Sequence, residues 1–167
     1  MIESKVLKDN IQNIQKLMSL TPLRKFETDK LRQLIRLSKI REYGSGEIII
    51  EEGGEDPYLY FLLKGKVRVR KEGVPISMID KEGEIFGEMR VLDGLTRSAT
   101  ATADEKTVCL AVDTSATDRL GSKDERASFL LILYQVITEF ISFRLRTTTD
   151  ELVSAKKEIK KLTEANR

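Results

Sequence analysis

The spacing of apolar residues changes twice along the chain. Over residues 2–19 they fall at Ile2, Val6, Leu7, Ile11, Ile14, Leu17 and Met18, in steps of three and four that predict an amphipathic helix. Pro22 restarts the chain, and Leu31, Leu34, Ile35 and Leu37 predict a second helix, with Thr28 as its N-cap and its end before Gly44. From Gly44 to Ser115 the pattern becomes short runs of β-branched and aromatic residues. Strands are predicted at 48–50, 58–63, 67–69, 76–79, 99–103 and 108–112, with Gly53-Gly54, Gly65, Gly73, Gly83 and Asp93-Gly94 at the turns. Strands this short and this close predict a sandwich or jelly-roll barrel, so the fold class is mostly β with flanking helices.

A short helix at 116–120 comes next, and Gly121 ends it. Ser122 and Glu125 then stand in the S-x-x-E relation of a capping box, and neither Gly nor Pro follows. One helix of roughly 40 residues, about 60 Å long, is predicted. Its first half is strongly apolar, but Gln135 and Glu139 interrupt residues 127–143, so no membrane span is expected there. In its second half Leu145, Leu152 and Ile159 recur every seven residues, with Ile141, Ala155 and Leu162 completing an a/d seam. A lone helix would leave that seam in water, which predicts a dimeric coiled coil. The chain thus divides into N-terminal helices (1–43), a β-barrel (44–121) and a long C-terminal helix (122–167).

Composition narrows the chemistry. The 167 residues include one cysteine and no histidine, which removes Cys/His zinc sites, histidine-held haem, cysteine-ligated iron-sulfur clusters and any imidazole base. Cys109 sits in the run Val108-Cys109-Leu110-Ala111-Val112 and is expected to be an inert core thiol. The N-terminus lacks a basic stretch followed by an apolar one, so the expected location is cytoplasmic. Charge is uneven: 10 Lys/Arg against 5 Asp/Glu in residues 1–43, 12 against 18 in 44–143, and 7 against 4 in 144–167. An acidic middle argues against a nucleic-acid module, and an anionic ligand there would need a dedicated arginine.

The stretch from Gly83 to Thr100 holds that arginine. Gly87 permits close backbone approach, and the residues after it can form a helical turn whose free N–H groups suit an anion. Asp93-Gly94 reverses the chain, and Arg97 arrives with a planar donor fork suited to phosphate. Glu88 adds an acceptor beside the anion site. A ligand bearing both a phosphate and a free hydroxyl fits, and a ribose phosphate has both.

Phe86-Gly87-Glu88 followed by Arg97-Ser98-Ala99 resembles the phosphate-binding cassette of the cyclic-nucleotide-binding domain family. Upstream, Gly46-Glu47, Gly53, the run from Tyr60 to Val67 and Gly83 are similar to the family's glycine pattern. The resemblance covers about residues 20 to 150 and implies an eight-stranded jelly-roll barrel, or double-stranded β-helix. It also implies that Glu88 accepts the ribose 2′-OH, Arg97 pairs with the cyclic phosphate, Ser98 adds a hydroxyl, N–H groups near Met89, Arg90 and Ala99 complete the cradle, and Gly87 clears space for the sugar. Arg90 departs from the pattern, which commonly has a small residue there. Met78, just before the cassette, is a candidate for the base pocket or for core, while Tyr58, Tyr60 and Phe61 are expected in the core. The other reading of Glu88 and Arg97 is a structural ion pair in an empty barrel.

Residues 143–150 resemble the segment of the catabolite-activator branch in which adjacent hydroxyl residues lie over the base, which places Thr148 and Thr149 at base-contacting positions. Three successive threonines are poor helix formers, and Thr148 falls on the seam. That branch continues into a DNA-reading helix-turn-helix, for which no residues remain here. The resemblance implies a stand-alone regulatory protein, not an enzyme, that binds 3′,5′-cyclic AMP or else cyclic GMP. It would need no cofactor and would act as a homodimer on an effector the sequence does not name. The alternative is a dimerisation or adaptor module with a degenerate pocket.

Overall fold

A computed structural model of the chain describes residues 1–3 and 11–165. It opens with a two-residue strand, β1 (Ile2–Glu3), then α1 (Ile11–Ser19), a 3-10 turn at Thr21–Leu23 and α2 (Thr28–Arg36). The helix expected from residue 2 therefore starts later. Ile2 and Glu3 instead pair antiparallel with Glu42 and Arg41, and Val6 and Leu7 lie outside the described residues. The N-cap of α2 is Glu27, and Thr28 is the first residue inside the helix.

Helix α2 also ends earlier than expected, because residues 38–43 are a strand, β2 (Ser38–Tyr43). The Ser38 hydroxyl donates to the Leu34 carbonyl at 2.5 Å and satisfies an end group of the helix. All six residues of β2 then pair with the last strand of the barrel, a long-range pairing that overrides local helical spacing. The barrel therefore begins before residue 44, at Ser38.

The remaining elements are β3 (Ile48–Ile50), β4 (Tyr58–Lys64), β5 (Val67–Lys71), β6 (Val74–Ile79), β7 (Ile85–Phe86), α3 (Glu88–Asp93), β8 (Thr100–Ala103), β9 (Thr107–Asp113), a 3-10 turn at Ala116–Arg119 and α4 (Lys123–Ala165). All six expected strands form. They make two antiparallel sheets, ordered β1-β2-β9-β4-β7 and β3-β8-β5-β6, of the jelly-roll kind. Between β4 and β5 the chain turns at Gly65, φ +95°, where a Cβ would lie 2.6 Å from the Lys106 carbonyl and 2.7 Å from the Thr107 hydroxyl. No other residue fits that approach.

Strands β4 and β9 serve two cores. Leu59, Phe61, Leu110 and Val112 face the helices, where they meet Leu20, Leu31, Ile35, Phe129 and Val136. Tyr60, Leu62, Cys109 and Ala111 face inward and pack with Tyr43, Val67, Phe86 and Ala103. Because both faces are buried, these strands read as unbroken apolar runs and not as alternating ones. Burial pushes the Cys109 thiol up to about 12, well above the ordinary thiol range.

Helix α4 is capped as expected on one side of the box: the Glu125 N–H donates to the Ser122 hydroxyl at 3.1 Å. The Glu125 carboxylate, however, accepts from the N–H of Gly121 at 2.6 Å. By length and composition the apolar part of α4 meets the requirements of a membrane span, despite Gln135 and Glu139. In the structure Phe129, Ile132, Leu133, Val136 and Ile137 pack into the helix-side core, and residues 145–165 are all exposed.

Candidate functional site

The short strand β7 pairs with the middle of β4 and delivers the chain to Gly87. Its φ is +80°, and a Cβ there would lie 2.8 Å from Nη1 of Arg97 and 3.0 Å from Cδ1 of Ile50. Glycine is thus required both by the backbone and by the arginine behind it. Helix α3 follows and closes at Gly94, whose N–H donates to the Arg90 carbonyl at 2.9 Å. The Asp93 carboxylate accepts from the Leu95 N–H at 2.9 Å. Arg90 reaches across this turn, its Nη1 donating to the Leu95 carbonyl at 2.7 Å. The residue that departs from the family pattern therefore ties down the loop after α3 and also lines the cavity.

Arg97 is only 4% exposed and is fixed at both ends. Its backbone exchanges hydrogen bonds with the Gly53-Gly54 turn, at 2.8 and 2.9 Å. In the side chain, Nε and Nη2 donate to the two carboxylate oxygens of Asp56 at 3.0 and 2.5 Å, Nη2 also donates to the Tyr58 carbonyl at 2.5 Å, and Nη1 donates to the Gly87 carbonyl at 2.7 Å. A guanidinium carries five N–H donors. These bonds use four and leave one Nη1 hydrogen for the cavity, while Asp56 neutralises the opposite edge. The sequence reading missed Asp56; the need of a buried arginine for a carboxylate is the signal that calls for one.

Glu88 is the other buried charge of the cassette, 5% exposed. It does not pair with Arg97. Its Oε1 accepts from Nη1 of Arg144 on α4 at 3.4 Å, and the Arg144 guanidinium stands 5.0 Å from the centre of the Phe140 ring. The two opposite charges of the cassette thus have separate partners, Asp56 and Arg144, both distant in sequence.

Between them lies a cavity of about 120 Å³. Gly87, Glu88, Met89, Arg90, Arg97, Ser98 and Ala99 all line it. The sequence reading missed Ile50, Val69, Ile76, Ala101 and Arg144, which with Phe86 of the cassette motif supply the apolar walls and one more cation. The Ser98 hydroxyl donates to the Met89 sulfur at 3.4 Å. A second cavity, about 400 Å³, opens between α3 and α4 and shares Glu88, Met89 and Arg144 with the first. Together they reach the roughly 300–1,000 Å³ of a ligand site. Among the described residues, no three acidic or thiol side chains converge to hold a metal ion.

Two expected residues lie elsewhere. Thr148 lines the second cavity, but Thr149 lines neither, and its hydroxyl donates to the Leu145 carbonyl at 2.7 Å. One residue along a helix turns the side chain by about 100°, which carries Thr149 off the cavity face. Met78 is also outside. It sits opposite Arg68, whose guanidinium pairs with Asp104, and cross-strand partners share a face. Ile76 lines the wall in its place, next to the register shift at Val69/Arg70. Tyr60 and Phe61 are core residues, as expected, and Tyr60 stacks on Phe86 at 5.1 Å.

Residues 40–124 match a family model, that of the cyclic nucleotide-binding domain. Among curated proteins, cGMP-dependent protein kinase 2 of Mus musculus is 34% identical over 121 residues, which is 68% of this chain but only 16% of that protein's length. A cyclic nucleotide-binding domain from Methylobacillus flagellatus superposes with a TM-score of 0.68 at 21% identity, over 86% of this chain and 84% of that one. The Thermus thermophilus catabolite activator protein gives 0.60 at 24% identity, over 81% and 62%. At these identities the two superpositions speak to the fold.

Proposed function

The chain belongs to the cyclic nucleotide-binding domain family, and from that premise we propose that it is a non-catalytic sensor that captures 3′,5′-cyclic AMP between Glu88 and Arg97. One observation carries this reading: two opposite, buried charges line one cavity without pairing with each other. The free Nη1 hydrogen of Arg97 takes the cyclic phosphate, together with backbone N–H groups at Met89, Arg90 and Ala99 and the Ser98 hydroxyl. Glu88 accepts the 2′-OH, the one ribose hydroxyl a 3′,5′-cyclic nucleotide keeps. The base extends into the second cavity, where the Thr148 hydroxyl accepts from an adenine amino group. Cyclic GMP is the second reading, favoured by the likeness to a cGMP-dependent kinase.

The sensor works as a parallel homodimer in the cytoplasm. Leu145, Leu152, Ile159 and Leu162 are all more than half exposed, and a twin helix would cover them. With Leu145, Leu152 and Ile159 at a positions, Glu151 falls at g and Lys156 at the e position it meets across a parallel pair. In the same register Thr149 of a second copy lies beside Arg144. Ligand capture then biases the position of α4 and passes the signal to an effector.

Isothermal titration calorimetry with cyclic AMP and cyclic GMP tests the assignment. Loss of a buried charge partner costs about 2–5 kcal/mol, so Arg97→Ala is expected to bind roughly 30- to several thousand-fold more weakly than the wild type. Arg97→Lys keeps the charge without the fork and should fall between. Equal affinity in the wild type and Arg97→Ala overturns the assignment.

A further inference from the structure

Arg144 has no part in the phosphate cradle proposed above, yet it reaches the site from α4. It is the last residue of α4 with reduced exposure, since residues 145–165 are all exposed. It lines both cavities and stands where they join. Its bond to Glu88 is a single contact at 3.4 Å, the long end of the hydrogen-bonding range, and a third of its side chain is open to solvent. Arg97, by contrast, is held by four side-chain bonds, two of them a fork on the Asp56 carboxylate. One cation of the site is therefore fixed and the other is replaceable.

We propose that Arg144 is a displaceable occupant of Glu88, so that the ribose hydroxyl of the ligand and the C-terminal helix compete for the same buried carboxylate. The inference rests on the cyclic nucleotide reading of the cavity. A carboxylate this buried needs a partner when no ligand hydroxyl reaches it, and Arg144 supplies it. A 2′-OH approaching Glu88 supplies a neutral donor from the other side, and Arg144 loses its one contact on the cassette. Its guanidinium then has the Phe140 ring within reach and solvent beyond it. The upstream part of α4 stays anchored through Phe129, Ile132, Leu133, Val136 and Ile137, so displacement frees only the helix beyond residue 144. A ligand moves such an equilibrium by its differential affinity for the two states, and here the difference is one hydroxyl at one carboxylate.

The test is calorimetry of wild type, Arg144→Gln and Arg144→Lys with a cyclic nucleotide and with its 2′-deoxy analogue, alongside hydrogen exchange of the amides at 141–150. Removing the competitor is expected to tighten binding of the ribonucleotide by up to about five-fold in Arg144→Gln, the upper end for a partly exposed ion pair. It should leave the 2′-deoxy affinity unchanged, with Arg144→Lys between. In the wild type the ribonucleotide, but not the deoxy analogue, should speed exchange at 141–150. Weaker ribonucleotide binding in Arg144→Gln overturns the proposal by making Arg144 a ligand contact. Equal tightening toward both ligands overturns it by reducing Arg144 to a steric obstacle. Absence of binding by both wild type and Arg144→Gln overturns the cyclic nucleotide reading, and the proposal with it.

Discussion

Asp56 shows how far the proposed site depends on a residue that meets no ligand: it lies behind Arg97, bonded to the edge of the guanidinium through Nε and Nη2. Asp56 takes one edge of the guanidinium and leaves the other to the cavity, so it acts as a positioning residue. Because it is about one-third exposed, its loss is expected to cost less than the figure for a fully buried pair, about 1–2 kcal/mol. Asp56→Asn should therefore lower the melting temperature, and a saturating cyclic nucleotide should recover most of the loss, since its phosphate restores the missing negative charge. Differential scanning calorimetry with and without ligand reads this directly. A ligand-induced rise no larger in Asp56→Asn than in the wild type would place the role of Asp56 elsewhere. The cassette could be read from the sequence because Gly87, Glu88 and Arg97 lie within eleven residues. Asp56 and Arg144 could not, because they reach the site only through folding, from 41 positions before Arg97 and 56 after Glu88.

At the scale of elements, legibility followed burial. Strands β4 and β9, buried on both faces, announced themselves as apolar runs. Strand β2 did not, because Lys39, Arg41 and Glu42 interrupt it with charges that pair off its faces. Strand β7 has only two residues, too few for any period, and its identity comes from pairing with Tyr60 and Phe61. Strand β1 is held largely by charge: Glu3 accepts from Nε of Arg41 at 2.9 Å and lies 3.4 Å from Lys39. The hydrogen bond from Arg41 holds the Glu3 carboxyl below the usual carboxylate range, with the Arg41 and Lys39 charges adding to it and partial burial opposing it. A depressed carboxylate contributes stability above its unfolded value and loses it as pH falls through the folded one. Glu3→Gln should thus lower the melting temperature at neutral pH and flatten its decline below about pH 4.5. Parallel acid limbs in the wild type and the variant would show that β1 is held by its backbone pairing alone.

For the whole molecule, the shared sheet joins the cavity to the helices. Tyr60 and Phe86 back the cavity from one face of the sheet, while Leu59 and Phe61 hold α1, α2 and α4 on the other. A one-residue slip in β4 would exchange the two sets, so the register of that strand fixes both at once. The exposed seam of α4 carries the prediction that belongs to this scale. Sedimentation at micromolar concentration is expected to give a dimer, and replacing Thr148 and Thr149 together by valine should leave it intact or tighter while weakening cyclic AMP binding. A monomer with and without ligand counts against the pairing, and unchanged affinity in the double variant counts against the base contact. The free length of α4 sets what such a dimer can transmit. Beyond Arg144 the helix runs on for residues 145–165, roughly 30 Å at 1.5 Å per residue. A tilt of about 10° pivoted there sweeps the far end through roughly 5 Å, close to one full turn of helix. On the proposed release of Arg144 the helix would be a lever with its fulcrum at the cavity, turning a small displacement at Glu88 into a larger one at Ala165.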